Sequence, residues 1–466
     1  MDDKGHPHRH VAFAAVAVGT FMSTLDASVV NVALPTLADE FAAGLGLVEW
    51  VVLAYLLALA GLLLNAGRIS DLVGRGRVYA VGLGIFALAS AACAAATSLP
   101  FLVGARVVQG IGGAMMNAAG PAILIEVFPL SQRGRVLGWV GLAVSAGLAA
   151  GPAIGGFVID ALSWRWIFLP NVPLAVLAAV VVLRAVPGRG SSGTKRFDVA
   201  GSVLLAFCLG ALTLALSLGG REGFLAPAVL GLGLAALVCG IAFVQVERRH
   251  PAPVIDLSLF RNRVFTGSAL AGLLVFITVG AVNLVMPFYL TQAQGLDTRQ
   301  MGLVLTALPV TLALVSPISG AAVDRSGSTR WIATTGALLA AGALLVLGLV
   351  AERTGPLGIA ACLGGIGLAV GTFQSPNNTA LMGSVPADRL GTAGGLLATV
   401  RVTGMLVGNA IGAAAFVAAG AEPANGAGAA HGMQIAALLG AGAGLLAAAA
   451  SLARGPAGVP RSSPQR

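Results

Sequence analysis

Long apolar stretches follow one another along almost the whole chain, separated by short breaks rich in glycine and arginine. A helix that crosses a bilayer needs about 20 mostly apolar residues. On that criterion the pattern predicts spans near 11–34, 48–67, 77–97, 101–125, 135–159, 164–184, 199–219, 224–246, 264–290, 300–323, 331–350, 356–383, 391–419 and 432–453. The expected fold class is an all-α polytopic membrane protein. The spans at 199–246 and 432–453 rest on hydropathy alone.

The polar breaks repeat. Gly67, Asp71, Gly74 and Arg77 recur as Gly320, Asp324, Gly327 and Arg330, each 253 residues later. Pro129, Gly134, Gly138, Gly147, Gly151 and Gly155 recur as Pro386, Gly391, Gly395, Gly404, Gly408 and Gly412, each 257 residues later. Six pairs in register are too many for chance, even in a glycine-rich chain. Spans 1–6 and 9–14 therefore form two similar halves, and spans 7 and 8 are inserted between them. Parallel halves around a midplane site are an architecture of alternating-access transporters. The implied organisation is a tail at 1–10, a six-helix bundle at 11–185, a linker at 186–198, two inserted helices at 199–246, a linker at 247–263, a second bundle at 264–453 and a tail at 454–466.

Composition supports lipid exposure. The chain is 57% hydrophobic and 10% charged, against about 25% charged in soluble domains. Its 65 glycines suit helices packed backbone to backbone. The net charge of +9 does not point to nucleic acid, because the basic residues sit in short loops. With a cytoplasmic N-terminus, 21 Lys and Arg fall on the cytoplasmic side and 4 outside, while Arg106 and Arg401 lie within spans. That asymmetry puts both termini in the cytoplasm. Only Lys4 and Lys195 are lysines, which favours a GC-rich bacterial genome.

Other chemistry is thin. Cys93, Cys208, Cys239 and Cys362 all lie in apolar spans without a CxxC pair and read as small hydrophobes. His6, His8 and His10 belong to the tail, and no metal site is expected. No cleavable signal peptide is expected, since the first apolar run lacks a small-residue cleavage site and another span follows. The stretch from Gly188 to Lys195 is one residue out of register for a phosphate loop, so an ATP-driven pump is excluded. A membrane-embedded enzyme would need a clustered catalytic set at membrane depth, and none is visible.

Several motifs resemble the major facilitator superfamily, in particular its 14-helix drug:proton antiporter branch. They are Leu25 to Pro35 in the first span, Gly67 to Arg77 after the second, Arg106 to Ala114 in the fourth, Gly147 to Gly156 in the fifth, and Trp164 to Phe168 with Asn171 and Pro173. One departure is Ala27-Ser28, where a Thr often follows in that branch. The resemblance covers nearly the whole chain. It implies two six-helix halves, no cofactor beyond a proton gradient, and a monomer in the inner membrane.

The residues support specific roles. Asp26 is placed as the only carboxylate deep inside a span, about 22 Å into the first helix at 1.5 Å per residue. A carboxylate there must be neutral, paired or wet, so it is either the proton-linked site or a structural pin. Arg106 either tunes Asp26 or relays protonation, or else it snorkels to the outer surface or pins two helices. Arg401 lines the cavity or bonds carbonyls, and the sequence does not choose. Gly67, Asp71, Gly74, Arg75 and Arg77, with Asp324 and Arg330, form a candidate cytoplasmic gate. Gly147, Gly151, Pro152, Gly155 and Gly156 form a candidate hinge and seal, with Pro152 bending the fifth helix. The interior polar or soft residues Asn31, Gln109, Met115, Met116, Asn117, Asn283, Met286, Tyr289, Phe373, Gln374, Asn377 and Asn378 are candidates for a substrate cavity, about half of them touching it.

The expected function is proton-coupled export of small amphiphilic drugs or antibiotics, neutral or cationic. The alternative on the same fold is a proton-linked or passive importer or facilitator of one metabolite.

Overall fold

The computed structural model describes residues 9–186, 198–250, 255, 257–386, 390–420 and 426–455. Fourteen helices among them are long and apolar enough to cross a membrane. Their main helices are α1 (Arg9–Glu40), α2 (Trp50–Val73), α3 (Arg75–Ala94), α4 (Leu99–Val127), α5 (Leu130–Ala161), α6 (Asn171–Ala185), α7 (Val199–Glu222), α8 (Pro227–Arg249), α9 (Arg263–Asn283), α10 (Thr298–Ser326), α11 (Thr329–Val350), α12 (Pro356–Gly383), α13 (Leu390–Ala418) and α14 (Gly426–Ala453). No strand occurs among the described residues. Lipid offers no partner for backbone N–H and C=O groups, so helices that satisfy them internally are the expected solution. His6 and His8, the stretch 188–195, and Lys4, Arg189, Lys195, Arg196, Arg389, Arg461 and Arg466 lie outside the described residues.

Some spans differ in detail from the sequence pattern. The ninth breaks after Asn283 and resumes as a short helix, Met286–Gln292, with Pro287 in its first turn. Proline suits a helix start and not its interior. The sixth begins as a 3₁₀ turn, Trp164–Ile167, ahead of α6.

The two halves pack alike. In the first, α1 lies against α5 and α6, α2 and α3 against α4, and α3 against α6. In the second, α9 lies against α13 and α14, α10 and α11 against α12, and α11 against α14. The repeated glycines serve the same contact in each. A Cβ at Gly147, Gly151 or Gly155 would meet Phe21 O, Ser28 Cβ or Val29 Cγ1 of α1. A Cβ at Gly404, Gly408 or Gly412 would meet Leu273 O, Ile277 O or Ala281 O of α9. The loop motifs match too: Gly74 and Gly327, 253 residues apart, end α2 and α10 at φ 110° and 64°, a region that favours glycine.

The halves meet through α5 with α10 and through α2 with α13. We call the end of the bundle that holds the start of α1 and the finish of α14 the terminal end, and the opposite one the far end. The tightest contact between halves is near the far end, where a Cβ on Gly302 would meet Pro152 O at 2.3 Å and Gly156 Cα at 3.1 Å. Arg299 lies over the Phe157 ring there, at 5.2 Å. Towards the terminal end, Gly138 and Gly141 of α5 have nothing within 4 Å of a built Cβ, and Trp139 and Leu142 are exposed.

The inserted pair is not a bystander. Helix α7 packs on α2, with Gly61 against Ala206 and Ser202 Oγ donating to Asn65 Oδ1 at 2.5 Å. It also packs on α13, where Gly220 faces Ala414. Its last turns cover Glu49, which is fully buried and accepts a hydrogen bond from Ser217 Oγ. Asp26 is therefore not the only buried carboxylate. Glu49 sits at the edge of a predicted span, and α7 packs over it through Ser217.

Arg454 also departs from its expected place as a loop charge. It is 2% exposed and donates to Ser268 Oγ at 2.8 Å, Asn377 Oδ1 at 3.1 Å and Thr329 O at 2.8 Å. It thereby ties the end of α14 to α9, α11 and α12. Burial, and then the nearby charge of Arg330, push its pKa down to about 10.

Candidate functional site

The centre of the first half holds a closed polar cluster. Asp26 stands halfway along α1, and its side chain has no exposed surface. Arg106 of α4 donates from Nη1 to Asp26 Oδ2 at 2.6 Å. Gln109, one turn further along α4, donates from Nε2 to Asp26 Oδ1 at 3.0 Å. Asn171, the first residue of α6, donates to the same oxygen at 2.9 Å. Asp26 thus takes three donors from two helices.

A second shell steadies the donors. Arg106 Nε donates to Val51 O at 2.9 Å and Nη1 to Gln109 Oε1 at 2.5 Å. Gln109 Nε2 also reaches Ser90 Oγ at 2.9 Å. The guanidinium carbon lies 4.4 Å from the Tyr55 ring centroid, where the face of the ring attracts a cation. A charged pair at this depth persists only with such complete bonding. Arg106 therefore pairs with Asp26 and does not reach outward to a surface.

Between the halves lies a cavity of about 240 Å³. Helices α1, α2, α4 and α5 wall one side, and α9, α10, α12 and α13 the other. Most of the wall is Leu, Val, Met, Pro and Phe. Its polar members include Asn31, Asn117, Asn283 and Asn409, and among the described residues its only ionisable members besides Tyr55 are Arg106 and Arg401. Asp26 is not in the wall; Arg106 stands between it and the space.

Of the candidate cavity residues, Asn31, Asn117, Asn283 and Met286 line this cavity. Phe373, Gln374, Asn377 and Asn378 line a smaller adjoining one, which shares Phe276, Ala398 and Arg401 with the first. Gln109 is instead part of the Asp26 cluster. Met115 and Met116 pack against Gly82 of α3, and Met116 also packs against Gly19 of α1. Tyr289 is fully buried and donates to Ala351 O at 2.5 Å, while Gln294 donates to its hydroxyl at 2.9 Å. These side chains hold helices together.

The candidate gate is engaged within one half only. Arg75 donates to Asp71 Oδ1 at 3.1 Å and Ala122 O at 3.1 Å, and pairs with Glu126 at 3.4 Å. Arg77 is exposed, as is Asp324. Arg330 Cζ lies 5.3 Å from the Trp331 ring. Among the described residues, no gate contact joins the two halves. In the candidate seal, Gly147, Gly151 and Gly155 face α1, while Gly156 and the carbonyl of Pro152 face α10. Helix α5 runs unbroken through Pro152.

Sequence reasoning missed the parts played by Asn171, Ser90 and Tyr55. Asn171 carried a signal, as a polar residue opening an apolar run. Ser90 and Tyr55 carried none.

Comparison with known proteins agrees with this architecture. The model of the Major Facilitator Superfamily matches residues 16–409 and, again, 268–465. The riboflavin transporter RibZ of Clostridioides difficile is 31% identical over 401 residues, 86% of this chain and 86% of its own. The multidrug resistance protein Stp of Mycobacterium tuberculosis is 34% identical over 400 residues, 85% of this chain and 74% of its own. A solved bacterial homolog of the human lysosomal transporter Spinster, inward-facing and occupied, is similar in fold, with a TM-score of 0.69 at 14% identity over 97% of each chain. With fourteen apolar helices in two matching halves around a central cavity, the chain is a multi-pass membrane protein and belongs to the Major Facilitator Superfamily.

Proposed function

We propose that the protein is a proton-coupled antiporter that exports small amphiphilic drugs or antibiotics by alternating access. It works as a monomer in a bacterial inner membrane, with its terminal end in the cytoplasm and the proton gradient as its only energy source. The observation that carries this reading is the buried Asp26–Arg106 pair, one member of which is also a wall of the cavity.

Arg106 links two events. A proton arriving at Asp26 removes the negative charge that Arg106 pairs with, and frees the guanidinium towards the cavity. A molecule in the cavity that touches Arg106 biases the same pair. Proton and substrate therefore act on one bistable contact, as a coupled two-state device requires. Access alternates when the α5–α10 seal near Gly156 and Gly302 opens and the terminal end closes. The motif at Asp71 and Arg75 fastens α2 and α3 to α4, so that half moves as one body. One charge crossing 100 mV is worth ~2.3 kcal/mol, roughly a fifty-fold gradient.

The likeness to Stp supports the export of drugs. The likeness to a riboflavin transporter supports the second reading, an importer or facilitator of one metabolite. Everted membrane vesicles decide between them. Uptake of a fluorescent amphiphile should follow an imposed pH gradient and stop when nigericin collapses it. Uptake that ignores the gradient overturns the antiport reading in favour of the facilitator.

A further inference from the structure

The cavity carries a charge that no acidic side chain among the described residues pairs with. Arg401 of α13 lines both the central cavity and the adjoining one. Its side chain is partly exposed to that space, and among the described residues it forms no ion pair with a carboxylate. Among the described residues, no Asp or Glu lines either cavity. Asp26, which pairs with the wall residue Arg106, is already held by Arg106, Gln109 and Asn171. An arginine stays charged, and at membrane depth a cation without a counter-ion is expensive.

The repeat shows that the two halves differ at this charge. At the 257-residue offset, Arg401 corresponds to Val144 and Asn409 to Pro152. All four line the central cavity. The first half thus presents an apolar pair where the second presents a cation and an amide. Asn409 is fully buried, and neither its oxygen nor its nitrogen has a hydrogen-bond partner. With Met405 between them, Arg401 and Asn409 stand at i, i+4 and i+8 on one helix face, spanning about 12 Å. That face sets a cation and an apolar step on the cavity, with a buried, unpaired amide one turn further along.

We propose that the transported amphiphile is an anion, and that Arg401 holds its acidic group. A carboxylate or sulfonate supplies the missing counter-charge and can take two parallel N–H bonds from the guanidinium. Its apolar body lies on the Leu, Val and Met wall. A cationic amphiphile meets Arg401 without any acidic group in the wall to offset it, so the expectation of a cationic substrate is replaced. The proposal rests on the cavity being the transport site, but it does not require protons to be the coupling ion.

The test uses the full chain in lipid nanodiscs with no gradient. Three probes share one body: 2-naphthoate, methyl 2-naphthoate and 2-naphthylmethylamine. Equilibrium dialysis against empty nanodiscs removes partitioning into lipid. The naphthoate should bind about ten-fold more tightly than the ester, ~1.4 kcal/mol, with the amine weakest. Arg401→Gln should bring the acid-to-ester ratio close to one, and Arg401→Lys should restore part of it; thermal unfolding of both variants verifies that they fold. Equal affinity for acid and ester, a preference for the amine, no binding of any probe, or a ratio unchanged in Arg401→Gln overturns the proposal. An Arg401-dependent preference without proton movement in vesicles would leave this inference standing while the antiport reading fails.

Discussion

Arg106 divides its guanidinium among Val51 O, Gln109 and Asp26, and rests on the face of Tyr55. A lysine has the charge but not the fork. Arg106→Lys should therefore insert and fold yet transport at least ten-fold more slowly, a loss of ~1.4 kcal/mol or more, read as initial rates in vesicles at matched protein levels. Unchanged rates would show that charge alone suffices at this position. Much of this cluster is legible in the sequence. Asp26 and Arg106 declare themselves as ionisable residues in apolar runs. Gln109 follows Arg106 at i+3, so the two share a helix face; that spacing places Gln109 with Asp26, although its amide alone suggests a cavity. Asn409 and Glu49 are harder to find. An asparagine in a glycine-rich helix reveals no facing direction, and Glu49 is bonded by Ser217 of a helix far along the chain.

At the scale of elements, glycine pattern was the strongest signal. The 257-residue register predicts that α5 and α13 do equivalent work, and they do, against α1 and α9. The register does not reveal that Gly156 turns to the other half, because the face a helix offers across a seam depends on how the halves dock. Here Gly156 and Gly302 bring two backbones into contact. A leucine at Gly302 has no room while the seal is shut, so Gly302→Leu should favour the state open at the far end. Spin labels at Leu162 and Leu303, both exposed, should then report a longer distance by several ångströms. An unchanged distance would mean that α5 and α10 are not the moving seal.

For the whole molecule, the two-half architecture and the inserted pair follow from hydropathy and internal repetition, both properties of the sequence. The bridging of α7 between α2 and α13 does not, since nothing local marks which helices it will meet. Sidedness rests on the distribution of basic residues. It predicts that a fluorescent protein fused after Arg466 glows, as it does only in the cytoplasm, and that alkaline phosphatase fused after Gly223, in the α7–α8 turn, is active. The opposite pair of results would invert the direction of transport.

The central claim is that Asp26 carries the proton that exchanges with substrate. The direct measurement is proton flux in proteoliposomes under an imposed pH gradient, followed with a lumenal dye as amphiphilic anions, neutral antibiotics and amphiphilic cations are added. Substrate-triggered proton movement should occur in the wild type and vanish in Asp26→Asn, which keeps the shape of the side chain but removes its charge. Full proton-coupled transport by Asp26→Asn would contradict the claim and leave Asp26 as a structural pin for α1, α4 and α6.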